Sequence, residues 1–130
     1  ALDRRWVRLQ TARGITELRN DDLGPLWEHL VLDTLLFLNG KERMRFWRDK
    51  QQREVDFVIP RTRGRVDAIE CKWNANGLET RGLTAFRENY PHGRNFVICP
   101  QTTSRYQRRL DALNIEFLPI AELRTLSASL

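Results

Sequence analysis

At 130 residues with 41% hydrophobic and 30% charged side chains, the chain has the size and balance of one soluble, cored domain and excludes a disordered or fibrous protein. Its net charge of +5 is local: nine basic residues face four acidic ones between Lys41 and Arg65, and the remainder balances at 13 against 13. Such a patch suits a polyanionic partner, although a solvated hairpin with arginine on its outer face is the plainer reading of it.

The longest apolar stretch, from Leu30 to Leu38, is broken by Asp33 and Thr34 and is too short for a membrane span. No apolar segment of signal-peptide type follows Ala1-Leu2-Asp3-Arg4-Arg5, so a cytoplasmic location is expected. The chain opens on Ala1 rather than Met and reads as a piece of something longer. Residues 1–20 form a linker or incomplete leading segment, and 21–130 form the domain. Cys71 and Cys99, each within an apolar run, are expected as free thiols of a reducing compartment.

In chain order, Asp21-Asp22-Leu23-Gly24-Pro25 is a helix start, with the proline in the first turn. Leu26, Trp27, Leu30, Val31, Leu35 and Leu38 then recur at helical spacing until Asn39-Gly40 stops the run. Strands follow at Met44 to Arg48, at Val55 to Ile59 and at Arg65 to Lys72. The turn Arg61-Thr62-Arg63-Gly64 predicts that the second and third form an antiparallel hairpin. A helix over Leu78 to Tyr90 places Leu83 and Phe86 inward and leads to a buried strand, Asn95 to Cys99. That helical connection implies a parallel neighbour and therefore a mixed sheet. Gln101 to Arg109 reads as a polar loop, Ile115 to Leu118 as the last strand, and Ala121 to Leu126 as a terminal helical turn. The expected fold is α/β in the order α-β-β-β-α-β-β-α.

Chemistry concentrates on the hairpin. Glu70 and Lys72, two apart on a strand, project to one face, and the short turn brings Asp56 level with them. Two carboxylates and an ammonium suit phosphodiester hydrolysis. Acidic oxygens hold Mg²⁺ or Mn²⁺, the metal acidifies a bound water, and the lysine orients that water or neutralises the transition state. Taken alone the pattern is short, and a surface ion pair is the plain alternative. Its setting in apolar strands argues against that, because unpaired charges there are costly. Glu28, on the helix stripe of Leu32 and Leu35, is a further acid beside the apolar face; pairing with an arginine at the helix edge is its other reading.

The series of helix, Glu54-Val55-Asp56-Phe57-Val58-Ile59, Ile69-Glu70-Cys71-Lys72, helix and strand resembles the PD-(D/E)XK, restriction-endonuclease-like superfamily. With Leu23-Gly24-Pro25-Leu26-Trp27-Glu28-His29-Leu30-Val31 it also resembles the uncharacterised C-terminal domain of prokaryotic AAA+ ATPases. The likeness covers about residues 21–120 and departs from the pattern at Val55, where a proline is usual. The resemblance implies a restriction-endonuclease-like core whose mixed sheet is flanked by helices. It assigns Asp56 and Glu70 as metal ligands with the backbone carbonyl of Cys71, Lys72 as the catalytic lysine and Glu28 as the helix-borne acid. Lys50, Arg53, Arg61, Arg63 and Arg65 are then the expected contacts to a DNA backbone. Trp47 and Trp73 read as packing residues with base stacking as the lesser alternative. The function expected is metal-dependent DNA hydrolysis, in a domain attached to or partnered by an ATPase. The alternative is a catalytically inactive nuclease-fold module that binds DNA or a partner protein. No Walker motif occurs, and the oligomeric state stays open.

Overall fold

A computed structural model describes residues 20–126, with side chains described from Leu23 onward. The expectation of a linker over residues 1–20 falls, Asn20 aside, outside the described residues.

Helix α1 runs Asn20–Asn39 and is followed, after a 3-10 turn, by β1 (Arg45–Arg48), β2 (Glu54–Pro60) and β3 (Val66–Cys71). A second 3-10 turn leads to α2 (Arg81–Asn89), β4 (Asn95–Ile98), β5 (Tyr106–Leu110), β6 (Leu113–Leu118) and a 3-10 segment, Ile120–Leu126. The strands form one mixed sheet in the order β1-β2-β3-β4-β6-β5. β2 and β3 are the antiparallel hairpin expected, and β3, β4 and β6 run parallel.

Each face of the sheet carries its own apolar layer. On one face Trp27, Val31 and Leu35 of α1 pack on Phe57, Ile69 and Ile98. On the other, Leu83 and Phe86 of α2 pack on Val55, Ala68 and Val97. Burial on both faces explains why β4 reads as an unbroken apolar run. Trp27 also fixes α1 to the sheet, its indole N–H donating to the Ile98 carbonyl at 2.8 Å within the core. Leu30, expected inward, is instead half-exposed.

Three other expectations need correction. Pro25 lies inside α1 rather than in its first turn, so the helix proceeds there without one backbone donor. The C-terminal element is a 3-10 segment rather than an α-helix. The tract read as a polar loop contains most of β5, which pairs antiparallel with β6 from Tyr106↔Phe117 to Leu110↔Leu113. This sixth strand lies at the sheet edge with its side chains almost all exposed, so it has no apolar alternation to betray it. Its turn, Asp111 and Ala112, has positive φ at both residues (48° and 67°) without the glycine that normally signals such a hairpin.

α2 approaches the start of β2 through Gly82. A Cβ built there meets the Glu54 carbonyl oxygen at 1.9 Å, well inside contact distance. Gly82→Ala is therefore expected to push α2 away from β2 and to lower stability by about 1–3 kcal/mol. Urea unfolding of the two proteins checks this: an unchanged midpoint contradicts the close approach.

Candidate active site

Regular pairing of β2 with β3 is seen from Pro60↔Val66 to Phe57↔Ile69, and the next residues across are Asp56 and Glu70. There the backbone bonds give way to side-chain bonds. The Asp56 N–H donates to Glu70 Oε1 at 3.2 Å, and the Cys71 N–H donates to Asp56 Oδ2 at 2.8 Å. The change coincides with an irregularity on the other edge of β2, where the register against β1 shifts between Arg45↔Val58 and Trp47↔Val55. An extra residue of this kind bends a strand and re-aims its side chains. Val55 and Val58 consequently both reach the α2-side core.

Lys72 completes the group, with Nζ 3.7 Å from Glu70 Oε2. Glu70 is buried, whereas Asp56 and Lys72 are partly accessible. The Cys71 N–H points toward β2, and in an antiparallel pair a residue's C=O points the same way as its N–H, so this carbonyl is turned toward the same gap. Its thiol packs against the α1-side core instead. Burial and the surrounding carboxylates raise that thiol well above its ordinary range, and burial lifts Cys99 to about 11. Both cysteines are free and held as thiols.

The carboxylates are electrostatically stressed. Burial, then the charge of Asp56, raises Glu70 to about 8, with Lys72 opposing and Glu28 adding a smaller push upward. Asp56 is also raised, chiefly by burial, against the Cys71 N–H and Lys72, which lower it. Glu28, half-buried on α1, borders a cavity of about 160 Å³ together with Phe46, Trp47, Arg48 and Asp56. A second cavity of about 170 Å³ opens on the α2 side and is lined by Arg53, Glu54, Glu70, Lys72, Glu79 and Arg81. The paired carboxylates thus lie between two small openings, one on each face of the sheet.

Among the described residues, no three His, Cys, Asp or Glu side chains form a ready metal cage. A magnesium-sized cation requires less, since it is held by one or two carboxylates and keeps several waters. The donor set fits it: two carboxyl groups bordering one gap and a carbonyl turned toward it. A divalent charge there offsets the repulsion that raises Glu70.

The basic residues divide into two groups. Arg53 is at the carboxylate end of the hairpin, its guanidinium held by Asp49 at 2.6 Å, and Lys50 is exposed in the same β1–β2 turn. Arg61, Arg63 and Arg65 are at the opposite end, at least about 13 Å along the strand from Asp56. Arg61 is moreover committed to the fold, paired with Asp67 at 3.0 Å and donating to the Leu126 carbonyl at 2.7 Å. The structure therefore does not bring these three to the carboxylates, because both ends of a hairpin look alike in a one-dimensional charge count. Trp47 packs edge-on against Phe86, and Trp73 against Trp27. Phe46 and Arg81, at the cavity rims, belong to no motif in the sequence. Alternation along β1 was the usable signal for Phe46, since an inward Trp47 turns its neighbour outward.

Fold and site together define a mixed α/β domain carrying two carboxyl groups and a lysine where its central hairpin opens. Residues 23–123 match the model of the family described as a domain of unknown function, DUF4143. The chain belongs to that family. A search of curated proteins finds no match. No described helix is long and apolar enough to cross a membrane.

The raised carboxylates make a stability prediction. In the unfolded chain Glu70 titrates near 4.5, and in the fold near 8. Between those values the native state holds a proton that the unfolded state has lost, so stability is fullest below the lower value and declines as pH rises through about 8. Metal-free protein should show a Tm that falls over this window. Glu70→Gln, neutral throughout, should flatten the decline; a Tm–pH curve identical to wild type contradicts the assignment.

Proposed function

We propose that this domain is a metal-dependent nuclease that hydrolyses DNA phosphodiester bonds on a restriction-endonuclease-like core of the PD-(D/E)XK type. The observation that supports this most is the convergence of Asp56, Glu70 and Lys72 where β2 and β3 part. A structural ion pair needs one acid and one base, and a second carboxyl at a buried position only adds repulsion. Such an arrangement is costly to the fold and useful to a cation site.

Mg²⁺ or Mn²⁺, when bound, supplies an acidified water and charge neutralisation at the phosphate. Asp56 and Glu70 are the proposed ligands with the Cys71 carbonyl. Lys72 Nζ, 3.7 Å from Glu70 Oε2, lies beside the carboxyl groups, where it would orient the attacking water and stabilise charge on the transferring phosphate. Glu28 borders the α1-side cavity and is the proposed holder of a proton or a water from the helix side. Arg53 and Arg81 border the other cavity and are the proposed contacts to the phosphate backbone. The resemblance to the domain that ends prokaryotic AAA+ ATPases makes an ATPase the proposed neighbour or partner.

The test is cleavage of plasmid and linear DNA in Mg²⁺ or Mn²⁺. Asp56→Asn and Lys72→Ala are each expected to lower the rate by about 100-fold or more, and EDTA to abolish it. Cleavage equal in wild type and both variants removes the proposal. DNA binding without cleavage, undiminished by Asp56→Asn and indifferent to divalent ions, supports the inactive binding module instead.

A further inference from the structure

The α1-side cavity has an aromatic side chain at its mouth. Phe46 is 74% exposed on the edge strand β1, yet it borders the same opening as Asp56, Glu28 and Arg48. Its neighbour Trp47 faces the α2 core and packs on Phe86 at 5.5 Å, so strand alternation turns Phe46 to the opposite face. Arg48, two residues on, shares that face and is held over the opening by Glu54 at 2.6 Å.

The other exposed aromatic rings on the sheet and its helices are mostly engaged. Tyr106 stacks on Phe117 at 4.6 Å, Tyr90 on Phe86 at 5.0 Å, and Trp73 meets Trp27 edge-on. Phe37, on the outer side of α1, borders neither cavity at the carboxylates. Among the described residues, Phe46 alone joins an open ring face to the edge of the carboxylate site. Singly exposed apolar residues are ordinary; what sets Phe46 apart is an open ring beside Arg48 and the carboxylates, a pairing that suits a ligand with an apolar face and an anionic edge.

We propose that Phe46 is a stacking platform for an unpaired nucleobase, with Arg48 contacting the adjoining phosphate, so that the substrate enters as single-stranded or frayed DNA. This rests on the reading of Asp56 and Glu70 as a phosphodiesterase centre, and it adds the substrate class. A base inside an intact duplex keeps its face covered by its neighbours and cannot lie flat on an isolated ring. An unpaired base has that face open, and stacking on an aromatic side chain is tolerant of sequence. The opening of about 160 Å³ beside the ring has room for a phosphate group.

The experiment measures anisotropy of a fluorescein-labelled oligonucleotide, single-stranded and as duplex, with EDTA present so that nothing is cut. A parallel strand carrying 2-aminopurine reports stacking through quenching. Phe46→Ala is expected to weaken single-strand binding about ten-fold and to lose the quenching. Phe46→Trp should retain both, and Phe37→Ala, an exposed phenylalanine away from the carboxylates, should behave as wild type. Single-strand binding unchanged in Phe46→Ala overturns the proposal, as does tighter binding of duplex than of single strand, or no binding of either. Because no strand is cut, the result is independent of hydrolysis. Loss of cleavage in wild type together with Phe46-dependent binding would refute the nuclease reading alone, and cleavage with Phe46-independent binding would refute the stacking platform alone.

Discussion

Two hydrogen bonds organise the site. Where β2 and β3 would next exchange backbone bonds, Asp56 instead gives its N–H to the Glu70 carboxylate and takes the Cys71 N–H on its own. The exchange satisfies two amides while opening a gap between neighbouring strands, and the groups bordering that gap are acidic. Nothing in a simple hairpin requires this. A regular continuation would have satisfied the same amides with carbonyl oxygens. The cost appears in Glu70, raised to about 8 by burial and by its acidic neighbours, and a cation between the two acids would offset it.

The rest of the fold holds that gap open. α1 is fixed to the sheet by the Trp27 indole on the last residue of β4, which brings Glu28 to one side of the opening. α2 reaches the other side through Gly82, where its backbone lies against Glu54 at the start of β2. The irregular pairing of β1 with β2 re-aims the residues just before Phe57. The two apolar layers therefore do more than stabilise the sheet, since each delivers a helix to one face of the carboxylate pair.

Much of this was legible in the amino-acid order because periodicity reports burial. The period of α1, the alternation broken by Pro60 and Gly64, and the apolar run at Phe96 to Ile98 correspond to the helix, the hairpin and the parallel strand. Asp56, Glu70 and Lys72 could be grouped because register follows from a short turn. β5 was hidden, since an exposed edge strand carries no burial pattern and its Asp111-Ala112 turn lacks glycine. The arginines misled for a related reason. Charge counted along the chain does not tell the carboxylate end of a hairpin from its turn, and it does not show that Arg61 is spent on Asp67 and the Leu126 carbonyl. Phe46 and Trp47 differ only in which face each takes, which packing against Phe86 decides.

The central claim is that the parted strands form a cation site, and anomalous diffraction from crystals soaked in Mn²⁺ tests it most directly. A single peak shared by Asp56, Glu70 and the Cys71 carbonyl, lost in Asp56→Asn, is the result this account predicts. Well-ordered carboxylates with no manganese between them, or a peak that persists without Asp56, would contradict it.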